Sequence, residues 1–596
     1  MKTVPERLAA LRAAMKEAGV DGFLIPSSDP HMSEYLPDCY QARSWFSGFD
    51  GSVGTLAVTT DAAALWADGR YFIQASRQLS GSGIELMRMA QKDTPEIPAW
   101  LADTLPENGV MGVDGMVTAA ATVQKLEKAF EKKQISIRDV DFVAPLWEGR
   151  PATPATPAWL LDVRYAGKPA GEKLAMLREK LREKGADAIL LSRLDSVAWL
   201  LNLRADDIAY NPFALSYCLV LPDSATLFIN KARLPREAQD ALAKEGVRTA
   251  AYEDVEKAVA AIETPVTALY EPEGLSYTLY NAWKANPRVK LLAGAEPVQQ
   301  LKGVKNDVEI ENIKNAHVKD GVAMVRFQIA LEQKMAAGET LTECGVAEML
   351  SALRRAQDLS LGDSFDTIPA YGANAAMMHY HAMPETCAAL EPHGFLLVDS
   401  GGQYLDGTTD ITRTYALGEP DDEEKTYYTW VLKCHIDIAK AVFLEGCTGG
   451  NLDVIARSAL WQHGIDYRCG TGHGVGFVGG VHEGPQSLRT TNQVAFVPGM
   501  TITDEPGVYE EGKIGIRIEN ELVCREWGTT EYGRFLCFEP VTYCPIDLRA
   551  VKPELLDDAE LAWLNDFHAT VFKALEAHLN EAEKAWLQSA CAPLSR

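Results

Sequence analysis

At 596 residues, 47% hydrophobic and 23% charged, with no low-complexity tract, the chain reads as a globular protein of three or four domains rather than a disordered one. A net charge of −26 argues against nucleic acid, whose phosphates are bound through Lys and Arg clusters. No apolar run approaches the roughly 18 residues that span a bilayer, the charged N-terminus lacks the apolar centre of a signal peptide, and eleven cysteines without a C-x-x-C pair read as reduced thiols. The expected protein is cytoplasmic, with neither a nucleic-acid nor a membrane partner.

The first boundary comes from an internal echo. "ERLAALRAAMKEAGVDGFLIPSSD" (6–29) recurs as "EKLAMLREKLREKGADAILLSRLD" (172–195), 166 residues on (172 − 6). Each copy has an amphipathic helix with Leu8, Leu11 and Met15, or Leu174, Leu177 and Leu181, at helical spacing. A glycine stops each helix, Gly19 or Gly185, and an apolar strand follows. Two α/β domains of one design are expected, 1–150 and 151–305, with the Pro-rich "GRPATPATPAWLL" as the linker near their seam.

A third domain is expected over 306–540, opening on a long helical stretch and continuing as helices alternating with strands. A helical pair at 322–356 is faintly echoed at 427–462, so a two-fold pseudo-repeat with a site between its halves is expected. The C-terminal extension, 541–596, is rich in Leu, Ala, Glu and Trp and reads as terminal helices for packing or dimerisation.

The chemistry-bearing residues concentrate in the third region. In "GFLLVDSGGQYLDGTTDITRTYAL" a buried strand ends at Asp399, and Asp410 sits in a second strand, where alternation groups it with Thr412 and Thr414. The plain alternative for one aspartate is a salt bridge to Arg413 or a turn in "LDGTTD". In "MTITDEPGVYEEGKIGIRIENELV" one strand ends at Glu505 and another carries Glu519, with Arg517, Glu519 and Glu521 on one face. Buried carboxylates need a partner or a metal. Together with His473, set among glycines in "YRCGTGHGVGF", they form a ligand set: Asp399, Asp410, His473, Glu505 and Glu519. Such a set suits Mn²⁺, Co²⁺ or Zn²⁺, and its size suits two ions and a hydrolytic site. The glycines are expected to leave room for metal and substrate beside the backbone; no P-loop lysine follows them. His31 and His463, lone histidines in polar stretches, are expected at the surface.

The chain resembles the pita-bread metallopeptidases, which include methionine aminopeptidase, prolidase and Xaa-Pro aminopeptidase. The residues that carry the resemblance are "VDSGGQYLDGTTDITRT", "GTGHGVG", "VHEGP", "TDEPGVY" and "GIRIEN", in order, with "SGFDGSVGT", "WADGRYF" and "LDSVAWLLNLR" upstream. Length and extension are most similar to the long, cytosolic Xaa-Pro aminopeptidase type. The implied fold is α/β: two creatinase-like N-terminal domains, a pita-bread catalytic domain with its pseudo-two-fold repeat, and the helical extension.

The resemblance also implies roles. Asp399 would hold one metal, Asp410 and Glu519 would bridge two, and His473 and Glu505 would complete the second, with Mn²⁺ the usual ion. Glu505 would shuttle a proton. His379 in "MMHYHAMPE" and His482 in "VHEGP" would hold the scissile carbonyl and the tetrahedral intermediate, and Arg517 matches an active-site arginine. His381 would share a face with His379 if that segment were extended. Many relatives carry a histidine where this chain has Cys469, which is read as packing or a minor pocket wall. The implied activity is release of the N-terminal residue from peptides with proline second, through attack of a metal-bridging hydroxide on the Xaa-Pro bond. The first two domains would narrow the entrance, and a homodimer is the expected assembly. Prolidase, restricted to Xaa-Pro dipeptides, is the rival hydrolase. A metal-free scaffold protein is the rival from another class, and a creatinase-like C–N hydrolase lacks this carboxylate set.

Overall fold

A computed structural model describes residues 2–596, which fall into two units: 2–161 with 168–298, and 162–167 with 299–596. Among the described residues no helix is long and apolar enough to cross a membrane.

The first unit contains two sheets of identical design. Strands β1 (Gly22–Pro26), β2 (Thr55–Thr59), β3 (Ala63–Ala67), β4 (Glu85–Arg88), β5 (Val110–Val113) and β6 (Ser136–Asp139) are ordered β4-β3-β2-β1-β5-β6. Strands β7 (Ala188–Leu191), β8 (Tyr217–Val220), β9 (Ala225–Phe228), β10 (Val247–Ala250), β11 (Val266–Tyr270) and β12 (Val289–Ala293) repeat that order as β10-β9-β8-β7-β11-β12. The echoed helices α1 (Val4–Glu17) and α2 (Ala170–Glu183) bury the leucines and methionine read from their spacing. Gly19 and Gly185 take left-handed φ values of 64° and 74°, which side-chain-bearing residues adopt at a cost.

His31 departs from expectation. Its ring is 1% exposed, with Nδ1 2.8 Å from the Ser192 carbonyl and Nε2 2.8 Å from the Tyr252 hydroxyl. The surrounding "SSDPHMSEY" is polar enough to look like surface. Its loop instead folds back against the second sheet's residues, and no local pattern encodes that. His463 is exposed and stacks on Trp430 at 3.9 Å between ring centroids.

The second unit is built around a repeat of helix pairs. Helix α3 (Asp307–Ala336) opens with an Asn306/Glu309 capping box and is followed by α4 (Glu343–Arg355). The second pair is α5 (Asp422–Ala439) and α6 (Gly449–Trp461). Gly321 lies inside α3 because a Cβ there would stand 2.3 Å from the Tyr543 carbonyl oxygen. The N-cap residues Thr342 and Thr448 bridge to Ala389 and Ala495, both pairs related by 106 residues (448 − 342 and 495 − 389). Glu343 N–H donates to Ala388 O at 3.0 Å, and Gly449 N–H to Val494 O at 3.1 Å, again at that spacing.

Between the helix pairs run β13 (Ile368–Tyr371), β14 (Phe395–Ser400) and β15 (Ile411–Ala416), an antiparallel sheet ordered β13-β14-β15. A four-stranded sheet follows, made of β16 (Val442–Leu444), β19 (Thr501–Asp504), β22 (Asn520–Thr530) and β23 (Gly533–Pro540) in the order β16-β23-β22-β19. Beside them stand a three-stranded sheet of 360–363, 402–404 and 407–408 and two hairpins: β17 (Gly472–Gly474) with β18 (Glu483–Leu488), and β20 (Gly507–Glu510) with β21 (Ile514–Arg517). Tyr428, Leu432, Phe496, Ile502, Ile516 and Leu564 are fully buried in one cluster beneath them. Each such side chain contributes about 1.5–3 kcal/mol by leaving water. The extension forms α7 (Asp558–Leu575) and α8 (Glu581–Ala590), both started by capping boxes.

Candidate metal centre

Asp399 lies within β14, and Asp410 immediately precedes β15 rather than lying inside it. Glu505 follows the last residue of β19, and Glu519 sits in the two-residue break between β21 and β22. Each carboxylate therefore projects from or beside a strand end whose backbone is paired on either side. The 106-residue spacing that relates the two helix pairs also relates Asp399 to Glu505 (505 − 399).

One oxygen or nitrogen each from Asp410, His473 and Glu519 lie within 4.8 Å of one another. His473 Nε2 is 3.4 Å from Asp410 Oδ2 and 3.3 Å from Glu505 Oε1. His473 Nδ1 is 3.0 Å from the Gly474 carbonyl. That oxygen can only accept, so Nδ1 carries the hydrogen and Nε2 is the nitrogen that would bind an ion among the carboxylates. The Thr503 hydroxyl accepts from His473 N–H at 3.0 Å and donates to Glu505 Oε1 at 3.2 Å, tying the two residues together.

Arg517 Nη2 donates to Asp399 Oδ2 at 2.5 Å and Nη1 to the Tyr509 hydroxyl at 2.8 Å. The Thr412 hydroxyl accepts from Arg517 Nε at 3.1 Å and donates to Glu519 Oε2 at 2.7 Å. Arg517 and Glu519 thus meet through Thr412 across the strand break, whereas Glu521, predicted on the same face, lies 3.1 Å from His317 Nε2. The plain alternative for Asp410 fails: Arg413 donates instead to the carbonyls of Thr412, Glu519, Cys544 and Pro545 and to Asn520 Oδ1. Those bonds fix the backbone of Glu519.

Four carboxylates against one guanidinium leave excess negative charge in a buried place. Burial, then Glu519, Asp399 and Glu505, hold Asp410 well above the usual carboxylate range. Burial, then Glu505 and Asp399, do the same to Glu519. Burial raises Glu505 to about 7 although Arg517 opposes it. Asp399 Oδ1 is buried without a hydrogen-bond partner among the described residues. An oxygen-rich set with a single imidazole lone pair and an unpaired carboxylate oxygen fits divalent cations, which would relieve that repulsion.

His482 packs edge-on to His473, with centroids 4.3 Å apart. Its neighbour Glu483 is clamped by two buried lysines, Lys302 at 2.9 Å and Lys305. His379 lies in a loop, and the neighbouring Met378 carbonyl is 3.5 Å from Arg517 Nη2. The segment is not a strand, so the shared strand face predicted for His381 does not form; His381 Nδ1 meets Asp366 at 2.6 Å on the surface. Burial, reinforced by Glu505, pushes the Cys469 thiol up to about 12. Cys469 packs on the main core cluster, as a wall residue would.

The glycines do something other than predicted. A Cβ on Gly472 would sit 1.8 Å from the Thr503 carbonyl, and one on Gly474 would sit 2.3 Å from the Glu483 carbonyl. Neighbouring strands of the protein fill the space that was expected to admit metal and substrate. Close strand approach, and through it the placement of His473, is what these glycines permit.

Sequence reasoning missed Glu343. Its buried carboxylate accepts from Tyr371 N–H, Asn374 Nδ2, the Tyr380 hydroxyl and Ala388 N–H at 2.7–3.0 Å, holding both ends of the loop that carries His379. In sequence it is an acidic residue in a helix's first turn, a position usually explained by the helix dipole.

Residues 311–526 match the family model of metallopeptidase family M24, and 534–594 match the C-terminal region of peptidase M24. Residues 7–144 and 149–309 match models of the creatinase/prolidase N-terminal domain. Aminopeptidase P2 of Arabidopsis thaliana is 38% identical, the alignment covering 100% of this chain and 89% of that protein. The chain belongs to metallopeptidase family M24. Another M24 relative, "Probable Xaa-Pro aminopeptidase P" of Laccaria bicolor, is 40% identical over 99% of this chain and 93% of its own. The solved structure of X-prolyl aminopeptidase from Caenorhabditis elegans, described as a cytosolic enzyme with a di-nuclear active site, matches with a TM-score of 0.95 at 34% identity, covering 100% of both chains.

Proposed function

We propose that this M24 chain is a metal-dependent aminopeptidase that removes the N-terminal residue from peptides with proline in second position. The observation that carries the reading is the buried cluster of Asp410, His473 and Glu519, with Glu505 against His473, in a chain similar along its whole length to enzymes of that name. That full-length similarity favours it over the dipeptide-only rival.

Two divalent ions, manganese in this reading, would be held by Asp399, Asp410, His473, Glu505 and Glu519, with Asp410 and Glu519 shared. When bound, the ions would supply an activated water and a Lewis acid for the scissile carbonyl. Arg517 holds Asp399 in place, and Thr412 orients Glu519 from the other side. Glu505 is the assigned proton carrier, taking a proton from the attacking water and passing it to the leaving proline nitrogen. His482, fixed beside His473 by the lysine-clamped Glu483, and His379 are assigned to the carbonyl oxygen as negative charge develops on it. Proline lacks the N–H that general peptidases hydrogen-bond, so the site must read the ring.

A cytosolic location belongs to the same proposal, on the likeness to the Caenorhabditis elegans enzyme. So does the four-part division at 150, 305 and 540, which lies close to the family-model limits. A homodimer is supported by exposed apolar side chains around one hairpin: Trp527 at 57% and Tyr532 at 78%, with Val442 and Leu444 on the bordering β16.

Asp410→Asn and Glu519→Gln test the assignment. Each is expected to lower kcat/KM on Xaa-Pro-Xaa peptides by about a thousandfold or more, with reduced bound metal and an intact fold. Full turnover in either variant would contradict the shared-ligand reading.

A further inference from the structure

Cys344 is the second residue of α4, and Cys387 lies in the loop that carries His379, eight residues on (387 − 379). The antiparallel bridge Thr342↔Ala389 and the bond from Glu343 N–H to Ala388 O set these two segments side by side. Counting outward from the bridge places Cys344 opposite Cys387. Each cysteine stands one residue from the bonded pair Glu343 and Ala388, which keeps the two backbones adjacent. The two thiols lie within hydrogen-bonding reach of each other, and both are partly exposed. Six other cysteines, including Cys39, Cys218 and Cys434, are buried.

The fold does not demand this pair. In the other half of the repeat, 106 residues on, the corresponding positions are Gly450 and Gln493 (344 + 106 and 387 + 106). The same bridge and backbone bond form there without thiols. The two thiols interact directly with each other, so either can be the attacking thiolate and the other the resolving thiol.

We propose that Cys344 and Cys387 are a redox-modification site that closes to a disulfide on reaction with small disulfides of the glutathione class. One thiolate of the pair attacks one sulfur of the small disulfide, forming a mixed disulfide and expelling one thiolate. The other thiol then loses its proton to solvent and displaces the second thiolate. Two protein thiols are oxidised and one small disulfide is reduced to two thiols. The new bond ties the His379 loop covalently to the start of α4, on the same stretch that Glu343 holds by hydrogen bonds. Formation of the bond is independent of the enzymatic reading; its effect on turnover rests on that reading, through His379.

The test equilibrates the full-length, manganese-loaded protein with oxidised and reduced glutathione, traps free thiols with iodoacetamide, and maps peptides by mass spectrometry. The expected result is a Cys344–Cys387 linked peptide that a phosphine reductant removes and that Cys387→Ser lacks. The linked form should show kcat/KM on Xaa-Pro-Xaa peptides about tenfold lower, since small displacements of a contacting group are costly, and Cys387→Ser should be insensitive. Both thiols alkylated at every glutathione ratio, or only a mixed disulfide on one of the two cysteines, would overturn the site. A linked peptide with unchanged kcat/KM would overturn the assigned consequence. Absence of Xaa-Pro turnover in the reduced protein would count against the enzymatic reading and leave the mass readout untouched.

Discussion

At Asp410 the chain keeps a carboxylate that burial and three neighbouring carboxylates push toward its neutral form, and no arginine answers it. Asp399, by contrast, has Arg517. The sequence placed Asp399 at the end of one buried strand and Asp410 inside the next, because alternation and apolar runs are local properties; the second strand begins one residue later. It could not say which would take the arginine, because that depends on how β14, β15 and β21 meet. His568 shows the same limit in the extension. The Ile546 N–H donates to its Nε2 at 3.1 Å, so that nitrogen must keep its lone pair, and burial with Arg413 lowers the imidazole to about 4. The folded value lies below the ordinary 6.5, so the stabilisation is full above pH 6.5 and is lost as the pH falls toward 4. A decline of about 2–3 kcal/mol over that window is expected. Denaturant titrations at pH 7 and pH 4.5 should show it, and His568→Gln should flatten that component.

At the scale of elements, the strongest sequence signals were periodic ones. The helices of the two echoed domains, the long α3 and the terminal pair follow from apolar spacing and caps, and the matching sheets follow from the 166-residue echo. What escaped was set by close approach between elements. Gly321, inside α3, faces the Tyr543 carbonyl that crosses there, and the glycines around His473 serve strand contact. The loop between β13 and β14 has no periodicity at all. Its order comes from Glu343, whose carboxylate replaces a ladder of backbone pairing. Glu343→Ala would leave the N–H groups of Tyr371 and Ala388 without their acceptor and is expected to cost about 2–4 kcal/mol. Hydrogen exchange should quicken over 371–388 before other segments of the second unit. Unaltered protection there would contradict the clamp.

For the whole molecule, five short motifs in order identified the family because they bring carboxylates and an imidazole from distant stretches into one place. Domain repetition was legible for the same reason, since an echo needs no tertiary information. Assembly is less legible, because an exposed Trp or Tyr on a hairpin looks in sequence like any half-buried strand residue. If the hairpin patch is the dimer contact, Trp527→Glu with Tyr532→Glu should halve the mass measured by light scattering while preserving the thermal transition; an unchanged mass would place the contact elsewhere. The central claim concerns substrate. Its most direct test is a peptide panel varying length and second residue, assayed with the manganese-loaded protein. The account predicts turnover of Xaa-Pro-Xaa and longer peptides, with loss of activity when alanine replaces the second-position proline. Turnover confined to Xaa-Pro dipeptides, or indifferent to proline, would contradict it.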